Sequence, residues 1–145
     1  MPERETIERA REDAREGKSP STQAGEFVRE EMHHVREGKH GARSPQQAIA
    51  IGLSKARRSG VKLKAPKGPA STRKKAKQDI EAGDRPHHRR SRKRSRATSR
   101  ALKQESKRSA SRQAVSRQAK RSSAKRGKRA RSAAATKAAR TRRAA

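Results

Sequence analysis

Positive charge is concentrated at one end of this 145-residue chain. Residues 85–145 contain 24 Lys and Arg side chains against one acid, Glu105, whereas residues 1–60 contain 12 basic and 10 acidic side chains. The C-terminal excess alone accounts for 23 of the 29 net positive charges. Like charges at this density repel one another unless a polyanion neutralises them, which limits how compactly the C-terminal part can fold.

Most large apolar side chains lie towards the other end of the chain. Residues 1–63 contain eleven of them, whereas residues 87–145 contain two, Leu102 and Val115. A segment without apolar surface to bury cannot offset the backbone entropy of about 1–2 kcal/mol per residue that folding costs. The sequence therefore predicts an all-α fold. A small three-helix N-terminal module would be followed by a flexible linker and a disordered or conditionally helical basic arm.

Start and stop signals divide residues 1–63 into three helical segments. A glycine follows each segment, and glycine suits the left-handed residue that ends a helix. Ser19 precedes the second segment as part of a Ser-Pro-Ser-Thr cluster of N-cap residues. Ser44 precedes the third, with proline next and Gln47 at the third helical position, which is a capping box. The predicted helices span residues of about 3–16, 22–37 and 45–59.

The third helix has the most apolar sequence of the chain, Ala-Ile-Ala-Ile-Gly-Leu. We expect it to be central, with Ile49 and Leu53 facing Phe27 on the second helix. Its polar side carries the chemistry of a major-groove reader, although basic residues near a helix C-terminus are also favoured by the helix dipole. The candidate groove contacts are Arg43, Gln47, Arg57 and Arg58.

Residues 64–86 have the composition of a linker. They include Pro66, Pro69 and Pro86 together with two glycines. From His87 to Arg126 there is neither proline nor glycine, and Ala, Arg, Lys and Gln favour helix there. Repulsion between neighbouring cations opposes that helix. We therefore expect residues 87–145 to form an arm that is open when alone.

The basic arm has the side chains that contact a nucleic-acid backbone. Arginine donates two parallel hydrogen bonds to phosphate and lysine acts as a point charge, so a mixture of both suits contact without base reading. Phe27 is the only aromatic residue, which excludes stacking platforms for bases. The candidate phosphate-binding residues are Arg89, Arg90, Arg92, Lys93, Arg94, Arg96, Arg112, Arg117, Lys120, Arg121, Lys125, Arg126, Lys128, Arg129 and Arg131.

Catalytic and metal-binding motifs are absent from the sequence. There is no cysteine, no glycine-rich phosphate loop and no nucleophile elbow, so we expect neither an enzyme, nor a cofactor, nor a small-molecule substrate. A metal site needs ligands that share a helix face, completed by acids or thiolates. Adjacent histidines point about 100° apart on a helix. We therefore expect solvated side chains and no metal at His33, His34, His40, His87 and His88.

No apolar run approaches the length of a signal-peptide core or a membrane span. The arm also lacks the apolar face of a helix that lies on a membrane. A cytoplasmic location, in the bacterial nucleoid, is the expectation.

Residues of about 3–63 resemble a family of short bacterial proteins catalogued as a domain of unknown function and labelled in places as DNA-binding or plasmid-stabilisation proteins. The resemblance rests on REGKSPSTQAGEFVREE at residues 15–31, HVREGKHGARS at 34–44 and QAIAIGLSKARR at 47–58. It implies a bacterial source and carries over no site residues. The arm separately resembles, in composition, the tails of linker histones and bacterial histone-like proteins.

These observations predict a non-enzymatic protein that binds DNA through the arm with little sequence preference. RNA or the ribosome is an alternative partner, because a cation does not distinguish a DNA phosphate from an RNA phosphate. In a further alternative the helical module is a protein–protein adaptor and the arm is a polyanion tether.

Overall fold

The computed structural model describes residues 2–85 and 91–144. These residues contain helices and irregular segments but no strand, so the all-α class is confirmed. The chain forms two compact units, Met1–Ser111 and Arg112–Ala145. The described elements are α1 (Arg4–Arg15), α2 (Pro20–Arg36), α3 (Pro45–Arg58), α4 (Ala70–Asp84), α5 (Arg92–Gln104), a 3₁₀ helix (Lys107–Ala110), α6 (Arg112–Lys125) and α7 (Gly127–Ala144).

Local caps place the first three helices within two residues of their predicted bounds. The Ser19 hydroxyl accepts a hydrogen bond from the Thr22 amide at 3.4 Å, and the Ser44 hydroxyl accepts one from the Gln47 amide at 3.2 Å. The return bond of the capping box is displaced by one residue. Gln47 Oε1 accepts from the amide of Arg43, at 2.6 Å, rather than from that of Ser44.

The core of the first unit lies where α2 packs against α1 and α3. Phe27 and Val35 on α2 are the most buried large apolar side chains, at 1% and 0% exposure. Leu53 and Ile49 are only half-buried, so the expectation that they are the central contacts is wrong. The reason is that α3 approaches α2 with its small residues, not with its large ones.

Gly52 sets the distance between α2 and α3. A Cβ at this position would lie 2.7 Å from Val28 Cα and 3.0 Å from the carbonyl oxygen of Phe27. Ala48 and Ala56, one turn away on either side, are fully buried on the same face. This row of small residues lets the two helix backbones approach closely.

The predicted flexible linker is wrong, because most of that segment is α4, which packs against α3. Asp79 of α4 is 1% exposed and accepts hydrogen bonds from Ser54 at 2.7 Å, Arg58 at 2.8 Å and Lys75 at 3.2 Å. Burial raises the pKa of Asp79, but these three donors together outweigh burial and hold the pKa below its usual value. A charged carboxylate therefore anchors α4.

The prediction of a disordered arm is also wrong, because α5, α6 and α7 are helical. Ala, Arg, Lys and Gln lose little side-chain freedom in a helix. Nearly all the cations of these helices point into water, where like charges four residues apart cost only about 0.2–0.5 kcal/mol per pair. That repulsion is therefore too weak to keep the arm open. Backbone hydrogen bonds from the loop after α2 also hold the end of α5.

The close approach at Gly52 generates a prediction about stability. Gly52→Ala should destabilise the protein, because forcing a methyl group into a packed contact typically costs about 1–3 kcal/mol and outweighs the roughly 1 kcal/mol that alanine gains over glycine in a helix. Gly25→Ala is the matched control, since a Cβ at exposed Gly25 of α2 meets nothing within 4 Å. Urea denaturation followed by circular dichroism should show Gly25→Ala at least as stable as the parent. Equal stability of the two variants would contradict the close approach.

Candidate nucleic-acid interface

The basic residues of α5 form a stripe along the exposed helix. Arg92, Arg96, Arg100 and Lys103 follow one another at spacings of three or four residues, and all four are exposed. At a rise of 1.5 Å per residue their charges lie about 6 Å apart along the axis. The other predicted contacts on this helix, Lys93 and Arg94, are exposed beside the stripe, while Arg89 and Arg90 lie outside the described residues.

Backbone hydrogen bonds join α5 to the other helices of the first unit. The loop after α2 supplies the amides of Gly41 and Ala42, which donate to the carbonyl oxygens of Leu102 at 2.8 Å and Ser106 at 3.0 Å. Arg36 Nε donates to the Ala110 carbonyl at 2.8 Å. Ala110 is fully buried where the 3₁₀ helix packs against α2 and α3. The docking of α5 therefore needs few large apolar side chains.

Gly41 is essential to this contact. It is buried, and a Cβ added there would overlap the backbone carbonyl group of Glu105. The missing side chain is what allows the loop and the end of α5 to share hydrogen bonds at short range.

The second unit presents a shallow basic groove along α6. It has a volume of about 400 Å³ and is lined by Arg112, Gln113, Ser116, Arg117 and Lys120. These residues recur at helical spacing, so they occupy one side of α6, and all five are exposed. Three cations and two polar side chains that share one open groove are suited to contact with phosphate oxygens.

The remaining predicted phosphate contacts continue around the turn between the two helices. Gly127, with φ of +72°, begins α7 directly after Arg126. Residues 112–144 contain 13 Lys and Arg side chains and no acid. The predicted residues of this region beyond the groove, all exposed, are Arg121, Lys125, Arg126, Lys128, Arg129 and Arg131.

Ion pairing differs between the two ends of the described chain. Before residue 86, most acids have a basic partner within 4 Å, as in the pairs of Lys18 Nζ with Asp13 at 2.9 Å and Glu16 at 2.6 Å. Hydrogen bonding to Glu16 and Asp13 raises the pKa of Lys18. Among described residues 91–144, whose sole acid is Glu105, the Lys and Arg side chains form no ion pair. Within the described residues, no acidic side chain neutralises their charge.

The candidate groove contacts on α3 are mostly engaged inside the first unit. Arg57 is 7% exposed and its guanidinium donates to the Lys64 carbonyl at 3.4 Å. Arg58 binds Asp79, and the Gln47 amide oxygen is used by the backbone of Arg43. Of the four, Arg43 alone has an exposed side chain, because α4 and the segment before it cover this side of α3. Groove contact stays a prediction, for which Arg43 is best placed.

The histidines are not all solvated. His33 is exposed, but the side chains of His34 and His40 are only 12% and 16% exposed and approach the buried acids Glu30 and Glu31. The Glu-x-x-His spacing of Glu31 and His34 on α2 was a visible signal of a shared face, which the sequence argument passed over. His87 and His88 lie outside the described residues.

No protein-family model, curated protein or solved structure matches the chain. None of its described helices has the length and apolar character that crossing a membrane requires.

The docking of α5 generates the second prediction. Gly41→Ala should release α5 and the 3₁₀ helix while α1–α4 keep their structure, because the new Cβ displaces the Glu105 backbone. Hydrogen exchange measured by mass spectrometry should be faster in residues 92–110 and unchanged in residues 20–58. Gly68→Ala is the control, since a Cβ at exposed Gly68 meets nothing within 4 Å. Unchanged exchange in residues 92–110 of Gly41→Ala would refute the docking contact.

Proposed function

We propose that this chain is a non-enzymatic DNA-binding protein that acts through the exposed basic side chains of α5, α6 and α7, with little sequence preference. The observation that supports the proposal is the charge of residues 91–144, where 21 Lys and Arg side chains face one acid. In the described part of this region none of these cations is paired within the protein. A surface with this excess of positive charge favours binding of a polyanion.

Binding would derive from the release of counterions from the phosphate backbone. Each phosphate that a Lys or Arg neutralises frees part of a condensed counterion, so affinity depends steeply on salt and weakly on sequence. Phe27, the sole aromatic residue, is buried in the core of the first unit and has no role in stacking. The open groove along α6 places three cations, Arg112, Arg117 and Lys120, side by side for contact with a phosphate strand.

Helical presentation would increase affinity for a given charge. Ordering a flexible segment on binding costs free energy, and helices formed in advance avoid that cost. Because α5 is tied to the loop after α2, part of the charge is presented from a fixed position. The loop after α2 would thus orient α5, the basic helix of the first unit.

The bacterial setting is part of the same proposal. Residues of about 3–63 resemble bacterial proteins labelled as DNA-binding or plasmid-stabilisation proteins, and the composition of the arm is similar to that of histone-like tails. Both support a protein associated with the nucleoid or with plasmid DNA.

The salt dependence of binding tests this proposal. If about ten phosphates are engaged, log K against log salt concentration should have a slope of about −9 in fluorescence-anisotropy titrations with a short DNA duplex. The triple variant Arg112→Gln, Arg117→Gln, Lys120→Gln should reduce the magnitude of that slope by about 2.7. Its helices should be intact by circular dichroism.

A second triple variant supplies a control of equal charge. Arg9→Gln, Lys18→Gln, Arg29→Gln also removes three positive charges, but from side chains that are already paired with Glu5, Asp13 and Glu26 at 2.6–2.9 Å. This variant should leave the slope within about 0.5 of the parent, because it removes no phosphate contact. If both triples reduce the slope equally, total charge governs binding and α6 is not the contact surface.

Competition between nucleic acids tests the identity of the partner. Duplex DNA and duplex RNA of the same sequence should compete for the protein, with DNA at least as effective, because no stacking side chain or 2′-hydroxyl reader favours RNA. A clear preference for RNA would indicate that the partner is RNA or the ribosome and not DNA. Absence of binding to either would leave the protein–protein adaptor as the function.

A further inference from the structure

One cluster in the first unit, on α2 and the loop after it, has the composition of a metal site. Glu31, His34 and His40 each offer one ligand atom, and these atoms all lie within 4.8 Å of one another. The Glu31 side chain is 1% exposed, and both imidazoles are largely shielded from water. Two imidazole nitrogens and a carboxylate oxygen are ligands that divalent transition ions bind.

The fold brings the three residues together by two different means. Glu31 and His34 lie three residues apart on α2, which places them on one face of the helix. His40 comes from the following loop, after Gly38 with φ of +77° reverses the chain direction at the end of α2. The His34 and His40 rings stand nearly perpendicular with their centroids 6.0 Å apart.

The carboxylate of Glu31 lacks the hydrogen bonds that its burial requires. Both of its oxygens are inaccessible to solvent and neither accepts a hydrogen bond of acceptable geometry. Lys55 Nζ lies 2.7 Å from Oε2 and His40 Nε2 lies 3.1 Å from Oε1, but these close approaches are charge contacts without hydrogen-bond alignment. Lys55 supplies a cation at Oε2, whereas Oε1 faces the His40 ring, so burial of Oε1 is costly unless a proton or a metal ion lies there.

The hydrogen bonding of His40 also requires a positive species between its Nε2 and Glu31 Oε1. Its Nδ1 lies 3.0 Å from the carbonyl oxygen of Gly41, and a carbonyl can only accept, so Nδ1 carries the proton. In a neutral ring the lone pair of Nε2 then faces Glu31 Oε1, which is also an acceptor. A proton or a metal ion must lie between them. A backbone carbonyl that fixes the ring through its other nitrogen is the usual outer partner of a metal-binding histidine.

The neighbouring charges tolerate an added cation. Lys55 Nζ lies between Glu30 at 3.1 Å and Glu31 at 2.7 Å, and Lys39 Nζ lies 3.1 Å from Glu3. Lys39 Nζ also lies 3.2 Å from Glu37, so four carboxylates face two ammonium groups, and the cluster has a formal charge of −2 when its histidines are neutral. Glu3 also contacts His34 Nε2 at 2.9 Å, and hydrogen bonding to His34 and Lys39 lowers the pKa of Glu3 to about 2.

We propose that Glu31, His34 and His40 form a binding site for a divalent transition ion of the Zn²⁺ class. Glu31 would bind through Oε1, which faces His40, and keep Oε2 on Lys55. Zinc at about 2.0–2.1 Å from nitrogen and oxygen needs ligand atoms about 3.4 Å apart in a tetrahedron. The His40–Glu31 pair, at 3.1 Å, is close to this spacing, and the ligand atom of His34 lies within 4.8 Å of both. Water or a further carboxylate completes the shell.

The site would link metal binding to the basic helices. His40 directly precedes Gly41 and Ala42, whose amides hold the end of α5. An ion bound by His40 and by two residues of α2 ties the loop to the helix. It should therefore strengthen the docking of α5 as well as the stability of the first unit.

Titration of the full-length protein, prepared without an affinity tag, tests the site. Isothermal titration with Zn²⁺ should show one site per chain, and Co²⁺ should give visible d–d absorption that saturates at one equivalent. His40→Ala and Glu31→Gln should each lower Zn²⁺ affinity by more than the roughly 10–100-fold that losing an outer partner costs. His33→Ala is the matched control, because His33 is 61% exposed and contacts only Glu37, at 3.7 Å.

The Co²⁺ spectrum of the unchanged protein decides the proposal even if a variant fails to fold. Absence of d–d bands and of stoichiometric Zn²⁺ binding would overturn it and leave a proton between His40 and Glu31. Loss of binding in His33→Ala equal to that in His40→Ala would also overturn it. Hydrogen exchange in residues 92–110 that slows on adding Zn²⁺ to the parent, but not to a folded Glu31→Gln, would support the link to α5.

Discussion

Buried carboxylates determine how the first four helices pair. Glu30 and Glu31 of α2 share Lys55 of α3, and Asp79 of α4 binds Arg58 of α3. A buried carboxylate left without its basic partner is costly, so these contacts disfavour other pairings of the same helices. The chain has few large apolar side chains with which to specify a fold. Small residues allow the helices to approach, and charge pairs determine which faces meet.

The same pairing explains why the basic helices differ from the rest of the molecule. Nearly all the acids of the chain lie before residue 85, and most of those in the described structure serve internal contacts. Residues 91–144, which contain α5–α7, are left with one acid for 21 cations. They fold nonetheless, because their residues favour helix and because α5 is held through backbone groups, which need no counter-charge. Their charge is free for an external polyanion.

The sequence predicts the local features of this fold and misses the long-range ones. The caps at Ser19 and Ser44 could be predicted because capping involves residues at most four positions apart. The docking of α4 could not, since Asp79 finds its α3 partners 21 and 25 positions earlier and has no apolar pattern to mark it. No side-chain pattern in the sequence predicts the contact of Gly41 with α5, because backbone groups make this contact. For the candidate interface, the candidate phosphate-binding residues follow from charge alone, whereas the burial of Arg57 depends on tertiary packing.

The central claim is that α5–α7 carry the contact with DNA, and cross-linking tests it most directly. The full chain would be cross-linked to a short DNA duplex, digested, and the peptides bearing nucleotides identified by mass spectrometry. The account predicts cross-links in residues 91–144, with those of α6 concentrated along the groove at Arg112, Arg117 and Lys120. Cross-links confined to residues 2–85, for example around Arg43, would contradict it and place the interface on the first helices.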